Sequence, residues 1–286
     1  MYGAIEAGGT KFVCSVGNES LEIVDQMTIP TLSPEETMPK VIEFFKEYET
    51  DVTAIGIGSF GPIDVNRQSD TYGYITQTPK LKWRNFDFLG FIKKEFPEVQ
   101  VAWTTDVNAS AYGEYSVRDG VENLVYYTVG TGIGGGAVNH GEFVGGITHP
   151  EMGHVPVRKH PEDNFEGVCP SHGDCLEGLV AGPAIEKRLG QRAENIPADD
   201  IYWDIQAYYI AQSAYNASLF LAPEVIIYGG GVMKVEGLLE KVRTEFEKLN
   251  QDYFDTPTLE DYIVTPELED SAATIGCFAM AKELTA

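Results

Sequence analysis

The chain has 286 residues, with 44 aspartates and glutamates against 20 lysines and arginines, which gives a formal net charge of −24. This charge argues against nucleic acid and anionic membranes as partners, because both are polyanions that select for basic patches. The length favours two lobes over a single core, and no apolar stretch is long enough to cross a bilayer.

The first predicted feature is a strand–turn–strand unit. Residues 2–29 alternate in hydrophobicity as strands do, and the interruption is the turn Gly8-Gly9-Thr10-Lys11. Glycines let backbone amides approach a phosphate closely, and Thr10 and Lys11 add a hydroxyl and a cation. The turn is not a Walker A loop, because the Gly-x4-Gly-Lys-Ser/Thr spacing is absent. An ordinary hairpin turn is the alternative interpretation.

A helix and a buried strand follow. Ser33-Pro34-Glu35-Glu36 has the cap, proline and acidic residues of a helix start, and the helix is predicted to run to about Tyr48. Residues 52–58 read as a strand that ends in a loop containing Gly61-Pro62. Proteins of the α/β class bind ligands at such strand ends, although Gly61-Pro62 could equally form an ordinary turn with no binding role.

Asp106 is predicted to lie where a strand passes into a helix. The strand covers residues 99–103, and the helix runs from Ala109 to about Val117. One interpretation is that Asp106 or Asn108 simply caps the helix. The other is that Asp106 is a base that accepts a proton from a substrate hydroxyl, since a helix N-terminus favours its charged form.

A glycine-rich run follows the strand at residues 123–129. Gly130, Gly132 and Gly135 have the Gly-x-Gly-x-x-Gly spacing of a dinucleotide-binding loop, but that motif must open a helix, and here a strand and a hairpin follow. The run is therefore a second strand–glycine turn–strand unit, with the plan of residues 2–17. Two such turns, one in each half, could hold a polyphosphate between two lobes.

A cluster of metal-ligand residues lies at the centre of the chain. Cys169, His172 and Cys175 have the spacing Cys-x2-His-x2-Cys, with His154 fifteen positions before the first cysteine. Two thiolates and two imidazoles make a full tetrahedral set for a structural zinc ion. A disulfide between the cysteines, or two idle thiols, is the alternative. The N-terminus lacks a signal-peptide pattern, so we expect a reducing cytoplasm, with Cys14 and Cys277 as buried free thiols.

The last third of the chain alternates helices with one clear strand. A helix from about 176 to 189 is interrupted at Ala181-Gly182-Pro183, and a long amphipathic helix covers 202–221. The strand at 223–228 ends in Gly229-Gly230-Gly231 before another helix, a turn that could receive adenine or ribose or could be only a tight connection. The small-residue helix that begins at Ser271 suits close packing, and we expect it to cross back onto the first lobe.

Seven segments, in this order and spacing, resemble the ROK family of sugar kinases, and the resemblance covers essentially the whole chain. They are Glu6–Phe12, Gly58–Asp64, Thr105–Ala109, Thr128–Gly136, Glu151–His154, Cys169–Gly178 and Tyr228–Val232. The first and sixth look most like the bacterial fructokinase branch. The resemblance implies an α/β fold of the ribonuclease H-like, actin and hexokinase type, with two lobes around a cleft. The expected lobes are 1–120, with the helix 271–286 packed onto it, and 121–270.

The resemblance also implies a site and its ligands. Asp106 would be the catalytic base of an ATP-dependent hexose kinase, with fructose 6-phosphate as the expected product and a homodimer as the expected assembly. The sugar would contact Gly61, Thr105, Asp106, Glu151, His154 and Glu177. ATP with Mg²⁺ would lie on Gly8, Gly9, Thr10, Lys11, Thr131 and Gly132, with its adenosine end near Pro183, Gly229, Gly230, Gly231 and Val232. Structural Zn²⁺ would be held by His154, Cys169, His172 and Cys175.

Some positions depart from the family pattern, and other functions compete. Many relatives carry asparagine where Thr105 stands, most carry aspartate at Glu6, and those outside this branch use cysteine at His172. Mannose, glucose or N-acetylmannosamine are alternative substrates. A sugar-sensing regulator of the same family and an actin-like ATPase are less favoured, because the acidic charge opposes DNA binding and the predicted sugar and zinc residues have no use in the ATPase.

Overall fold

A computed structural model describes all 286 residues, which form two α/β units. Unit 1 consists of Met1–Asp119, Glu142–Pro150 and Asp270–Ala286, and unit 2 of Gly120–Gly141 and Glu151–Glu269. The chain therefore passes between the units several times.

The structure contains twelve strands and nine α-helices. The strands are β1 (Tyr2–Ala7), β2 (Lys11–Gly17), β3 (Ile23–Pro30), β4 (Ala54–Ser59), β5 (Tyr74–Ile75), β6 (Phe86–Asp87), β7 (Gln100–Thr105), β8 (Asn123–Val129), β9 (Ile133–Asn139), β10 (Glu142–Phe143), β11 (Val225–Gly229) and β12 (Ile263–Val264). The helices are α1 (Pro34–Lys46), α2 (Phe88–Glu95), α3 (Asp106–Val117), α4 (Leu176–Val180), α5 (Gly182–Leu189), α6 (Tyr202–Leu221), α7 (Leu238–Asn250), α8 (Leu259–Tyr262) and α9 (Ala272–Glu283).

The sheet of unit 1 has the order β3-β2-β1-β4-β7. The first three strands are antiparallel neighbours, whereas β4 and β7 run parallel to β1, so β4 and β7 end at the same edge. One face packs on an aromatic core in which the Trp83 ring lies 5.3 Å from Phe12 and 5.8 Å from Phe60. That core and the buried β4 strand hold this edge of the sheet rigid.

The other face of this sheet carries α3 and α9, which pack almost backbone to backbone. A Cβ atom on Gly276 would strike the Ala109 carbonyl oxygen, and one on Gly113 would strike the Ala272 carbonyl oxygen. Glycine is required at both positions because of this close approach. The α9 segment therefore supports α3, the helix that begins with Asp106.

The sheet strands that belong to unit 2 have the order β9-β8-β11-β12. The β8–β9 pair is antiparallel, and β11 and β12 run parallel to β8, as β4 and β7 do to β1. The predicted internal duplication of a strand–glycine turn–strand unit is thus present in both sheets. Helix α6 buries Trp203, Tyr209 and Ile210, whereas Phe220 near its C-terminal end is 81% exposed.

Helix α1 begins as its sequence predicts. Ser33 adopts the extended N-cap conformation, and its backbone amide donates to the Glu36 carboxylate in a capping box. Among the helices of the structure, none combines the length and the apolar character that crossing a bilayer would need.

Candidate active site and metal centre

Asp106 is the first residue of α3, directly after β7. The N-cap is Thr105, whose hydroxyl oxygen accepts a hydrogen bond from the Asn108 amide at 3.1 Å. The interpretation of Asp106 or Asn108 as the cap is therefore wrong. Asp106 is half-buried, and its Oδ1 accepts from the Val107 amide at 2.9 Å. The Asp106 carboxylate therefore lies at the N-terminus of α3, and the partial positive charge of a helix N-terminus favours a carboxylate in its ionised form.

Thr105 itself is only 4% exposed, and its oxygen is already engaged by the helix. Asn108 is equally buried: its Nδ2 donates to the Thr104 hydroxyl at 3.1 Å, while its Oδ1 has no hydrogen-bond partner. These contacts give Thr105 the clear role of orienting the helix start. A contact between Thr105 and the sugar stays a prediction.

The loop after β4 is held by a histidine that sequence reasoning missed. The Nε2 atom of His149 accepts a hydrogen bond from the Ile63 amide at 3.2 Å, and the His149 ring lies 3.6 Å from where a Cβ on Gly61 would be. With Nε2 as the acceptor, Nδ1 is the ring atom left to donate, and it lies 3.3 Å from the Pro150 carbonyl oxygen. Gly61 therefore sits in a loop fixed by an imidazole. The sequence feature that could have indicated a role for His149 is its position two residues before Glu151.

The Gly8–Lys11 turn joins β1 to β2. The Gly8 amide donates to the Lys11 carbonyl at 3.0 Å, while the carbonyl oxygens of Gly8 and Thr10 accept from the Thr31 hydroxyl and amide. The amides of Gly9 and Thr10 donate no hydrogen bond within the chain. The turn thus has the exposed amide groups that an anion site needs.

A buried carboxylate lies just before this turn. Burial raises the pKa of Glu6, and the charge of Lys11 and the hydroxyl of Thr274 lower it in part. Lys11 therefore acts on Glu6 as well as on the turn.

In unit 2, three predicted nucleotide-binding segments meet at the ends of β8 and β11. The Gly182 amide donates to the Gly130 carbonyl at 2.8 Å, which seats the start of α5 and Pro183 on the glycine turn that contains Thr131 and Gly132. Gly230 has a positive φ of 94° and packs against the Val129 backbone. The structure therefore brings the turn at 130–132, Pro183 and the turn at 229–232 to one edge of this sheet.

The other glycines of the 130–136 run serve packing. A Cβ on Gly135 would lie 2.6 Å from the Met152 Cβ, and one on Gly153 would strike the Ile133 carbonyl oxygen. The 3-10 turn Met152–His154 consequently lies flat against β9. This contact positions both Glu151, whose carbonyl accepts from the His154 amide at 3.0 Å, and the His154 ring.

His154, Cys169, His172 and Cys175 form one cluster, in which all four ligand atoms lie within 4.8 Å of one another. The Cys169 sulfur lies 3.7 Å from Nδ1 of both His154 and His172, and the Cys175 sulfur lies 3.6 Å from Nδ1 of His154. Tetrahedral zinc with ordinary bond lengths requires S–N separations of about 3.6 Å. The residues therefore fit a zinc ion with four protein ligands.

The loop backbone is folded around these ligands. The Cys169 amide donates to the Gly173 carbonyl at 3.1 Å, and the Gly173 amide returns a bond to the Cys169 carbonyl at 2.9 Å. Gly167 and Gly173 have positive φ values of 84° and 64°, and a Cβ on Gly178 would strike the Gly173 carbonyl. The glycines make the tight turns possible and hold Cys169 and Cys175 face to face.

All four cysteines are free, so the disulfide interpretation of Cys169 and Cys175 is wrong. Cys14 and Cys277 are buried thiols, as predicted. Burial raises the pKa of the Cys175 thiol to about 11; a backbone hydrogen bond from Gly178 opposes the rise, and neighbouring Cys169 adds to it. A bound cation would compensate the charge of two thiolates held this close.

Glu177 lies next to this cluster. Its Oε2 accepts a hydrogen bond from the Ile133 amide at 2.9 Å, and its Oε1 lies 4.0 Å from the His154 Nε2. Because Nδ1 of His154 faces the sulfurs, Nε2 is the ring atom directed at Glu177. A carboxylate at this position is the usual outer partner of a metal-bound histidine.

The predicted site residues thus fall into two groups. Unit 1 holds Gly61, Thr105, Asp106 and the turn at 8–11, whereas unit 2 holds Glu151, Glu177, the four metal ligands and the other glycine turns. A family model described as "ROK family" matches residues 2–284. The chain belongs to the ROK family. The resemblance carried by the seven sequence segments is therefore confirmed.

Relatives match the chain over its whole length. It is 52% identical to a fructokinase of Streptococcus mutans, over 100% of this chain and 99% of that one. It is 50% identical to a fructokinase of Lactococcus lactis subsp. cremoris, over 99% and 97% of the two chains. The crystal structure of a ROK hexokinase from Thermus thermophilus covers 99% of this chain and 98% of its own, with a TM-score of 0.81 and 24% identity. The structural match confirms the predicted fold class.

Proposed function

We propose that this ROK protein is an ATP-dependent fructokinase that converts fructose to fructose 6-phosphate. The observation that carries the proposal is the full-length similarity to fructokinases at about half identity. The reaction class, sugar phosphotransferase, rests on the same similarity. The position of Asp106 supports the finer assignment, because a carboxylate at a helix N-terminus on a rigid sheet edge is suited to proton abstraction.

Asp106 is the catalytic base. It accepts the proton of the sugar hydroxyl as that oxygen attacks the γ-phosphorus of ATP, and the bond from phosphorus to the β,γ-bridging oxygen breaks to release ADP. Phosphoryl transfer needs little covalent chemistry from the protein, so positioning and charge neutralisation supply most of the rate. Thr105 positions the base through the first turn of α3.

The sugar hydroxyls bind Glu151, His154 and Glu177, and Gly61 and Thr105 are the further residues proposed to contact the sugar. Carboxylates and an imidazole recognise hydroxyls through hydrogen bonds, and such contacts discriminate between sugars more sharply than apolar ones do. The hydrogen bond from Ile133 and the proximity of His154 support a fixed orientation for Glu177.

The phosphates of ATP bind the turn at Gly8, Gly9, Thr10 and Lys11 and the turn at Thr131 and Gly132. The adenosine end lies near Pro183 and the segment Gly229, Gly230, Gly231 and Val232. The unengaged amides of Gly9 and Thr10 support the first of these contacts. Mg²⁺ accompanies the nucleotide and neutralises phosphate charge.

His154, Cys169, His172 and Cys175 hold a structural zinc ion. Because four protein ligands fill a tetrahedral shell, the ion would supply rigidity to the loop and no activated water. By holding His154, the ion would also fix the orientation of Glu177, whose carboxylate lies 4.0 Å from the His154 Nε2.

The test is a coupled ATPase assay with purified protein, ATP and Mg²⁺ across fructose, mannose, glucose and N-acetylmannosamine, with zinc measured in the same sample. Phosphorus NMR of the product locates the phosphate. We expect fructose to give the highest kcat/KM and phosphate at the 6-hydroxyl. If another hexose gives the highest kcat/KM, that hexose takes the place of fructose as the proposed substrate. If no sugar phosphate forms with any hexose, the proposed kinase activity is overturned.

We also propose a reducing, cytoplasmic location and a homodimer. The four free thiols support the first of these. Light scattering at micromolar concentration tests the second: a mass near twice 31.4 kDa is expected.

A further inference from the structure

Lys80 extends its side chain over the Gly8–Lys11 turn. A Cβ atom on Gly9 would lie 3.3 Å from the Lys80 Cε and 4.0 Å from its Nζ. The same ammonium lies 6.0 Å from the centre of the Phe60 ring. Because the Phe60 amide donates to the Ala7 carbonyl at 2.7 Å, that ring is itself fixed beside the start of the turn. Lys80 therefore places a cation beside Gly9, whose amide donates no hydrogen bond within the chain.

The backbone at Lys80 is held from both sides. Its amide donates to the hydroxyl of buried Thr78 at 3.3 Å, and its carbonyl accepts from the Trp83 amide at 2.8 Å. Trp83 is buried in the aromatic core, and its Nε1 donates to the Leu32 carbonyl at 2.7 Å. A lysine on a backbone anchored this way loses less conformational freedom on binding a ligand than a lysine on a mobile loop.

Side chains at positions 8 and 9 would meet different neighbours. A Cβ on Gly8 would lie 2.8 Å from the Lys11 carbonyl oxygen, which is a backbone conflict within the hairpin. Gly9 does not have a positive φ, and the atoms that a Cβ would meet belong to Lys80. The absence of a side chain at Gly9 thus leaves room for Lys80, so the two residues lie side by side at this turn.

The neighbouring lysine behaves differently. Lys82 has a side chain that is 71% exposed, and its ammonium lies 3.8 Å from the Glu36 carboxylate. Lys80 is half-buried and directed at the turn. In a chain with a net charge of −24, a polyphosphate needs local positive charge at its binding turn. The charge of Lys11, the last residue of the turn, also interacts with the Glu6 carboxyl.

We propose that Lys80 is a phosphate-binding residue of the nucleotide site, donating a charge-assisted hydrogen bond to the ATP phosphates held at the Gly8–Lys11 turn. The proposal rests on the proposed function, because that function supplies the polyphosphate. In this role Lys80 stabilises charge on the phosphate oxygens, while Asp106 takes the proton of the sugar hydroxyl. A side chain that reaches the turn from a separate segment performs the role that a lysine within the loop has in Walker A proteins.

The experiment measures binding of ATP and of AMP to the full chain by calorimetry in the wild type, Lys80→Met, Lys80→Arg and Lys82→Met. Methionine keeps the aliphatic stem and removes the charge, and Lys82→Met is the matched control two residues away. We expect Lys80→Met to weaken ATP binding about 10- to 100-fold, the size of one charge-assisted hydrogen bond, and AMP binding less than about twofold. Lys80→Arg restores most of the affinity, and Lys82→Met binds both nucleotides as the wild type does.

The outcomes separate this proposal from the proposed function. Equal ATP affinity in wild type and Lys80→Met overturns the role of Lys80 and leaves the kinase intact. Equal losses for ATP and AMP also overturn it, because they indicate a general distortion. If ATP binding depends on Lys80 but the protein phosphorylates no hexose, the role of Lys80 is supported and the proposed fructokinase activity is overturned. A wild type that binds no ATP overturns both.

Discussion

The carboxylate of Glu177 accepts a hydrogen bond from the amide of Ile133, with 2.9 Å between the two atoms. Ile133 begins β9, directly after the glycine turn at 130–132, and the other oxygen of Glu177 lies 4.0 Å from Nε2 of the metal-cluster residue His154. One side chain thus joins the predicted phosphate turn of unit 2 to the predicted zinc loop. A Cβ on Gly132 would lie 2.7 Å from the same carboxylate oxygen, so glycine is needed there for the contact to form.

The first prediction concerns Glu177. The substitution Glu177→Gln keeps an oxygen that can accept from Ile133 but removes the negative charge beside His154. We expect zinc to be released to a chelator about 10-fold more readily, and KM for fructose to rise by a similar factor, since outer-shell partners have effects of this size. Glu186→Gln, an exposed position on α5, is the control. Unchanged zinc release in Glu177→Gln contradicts a link between the carboxylate and the metal.

Removing a metal ligand tests the cluster itself. Cys169→Ser leaves one weak ligand in place of a thiolate, and we expect loss of most bound zinc, a lower melting temperature and loss of sugar phosphorylation. Cys14→Ser, at a buried thiol outside the cluster, controls for losing a sulfur. Zinc content by mass spectrometry and thermal unfolding with and without chelator are the measurements. A chelator that leaves both the melting temperature and the activity unchanged argues against a structural ion.

Asp106→Asn tests the base. Asparagine keeps the size of the side chain and cannot accept the hydroxyl proton, so we expect kcat to fall by about 10²- to 10⁴-fold. Fructose and ATP affinities measured by calorimetry should change less than about threefold. Asp119→Asn, at an exposed position just after α3, should leave kcat unchanged. Substantial turnover by Asp106→Asn would assign the proton transfer to another group.

His149→Ala leaves the buried amide of Ile63 without its acceptor. An unsatisfied buried donor costs about 1–3 kcal/mol, so we expect the free energy of unfolding to fall by that amount. Because the same contact fixes the loop that contains Gly61, KM for fructose should rise while ATP affinity stays constant. The exposed His140→Ala is the comparison. Equal stability of the two variants in urea denaturation contradicts this account of His149.

Glu6 predicts a pH dependence of stability. Its pKa is raised in the folded protein, mainly by burial, so the folded state holds this proton more tightly than the unfolded state does. The stabilising contribution is therefore present below the ordinary pKa of the carboxyl and is lost as pH rises through the raised value. We expect Glu6→Gln to increase the free energy of unfolding, relative to wild type, more at pH 8 than at pH 4.5. Glu19→Gln, an exposed position, should show no such trend, and a trend of opposite sign for Glu6→Gln contradicts the raised pKa.

Local patterns determined much of this protein in advance. The Ser33 cap, the strand-to-helix junction at Asp106 and the spacing of Cys169, His172 and Cys175 each depend on residues near one another in the chain, so a short stretch of sequence was enough to predict them. The order of seven such stretches then identified the family, and the repeated glycine turns predicted two sheets of the same plan.

Contacts between distant segments were decided only by the tertiary structure. His149 reaches Ile63, Glu177 reaches Ile133 and Lys80 lies over Gly9, although each pair is far apart in sequence. No periodicity or spacing encodes such a pairing, because it depends on which strand ends share a sheet edge and on how the aromatic core sets the loops above it. The sequence alone determined which residue types can hold zinc, accept a proton and turn sharply, and the packing of the sheets decided which of them stand beside one another.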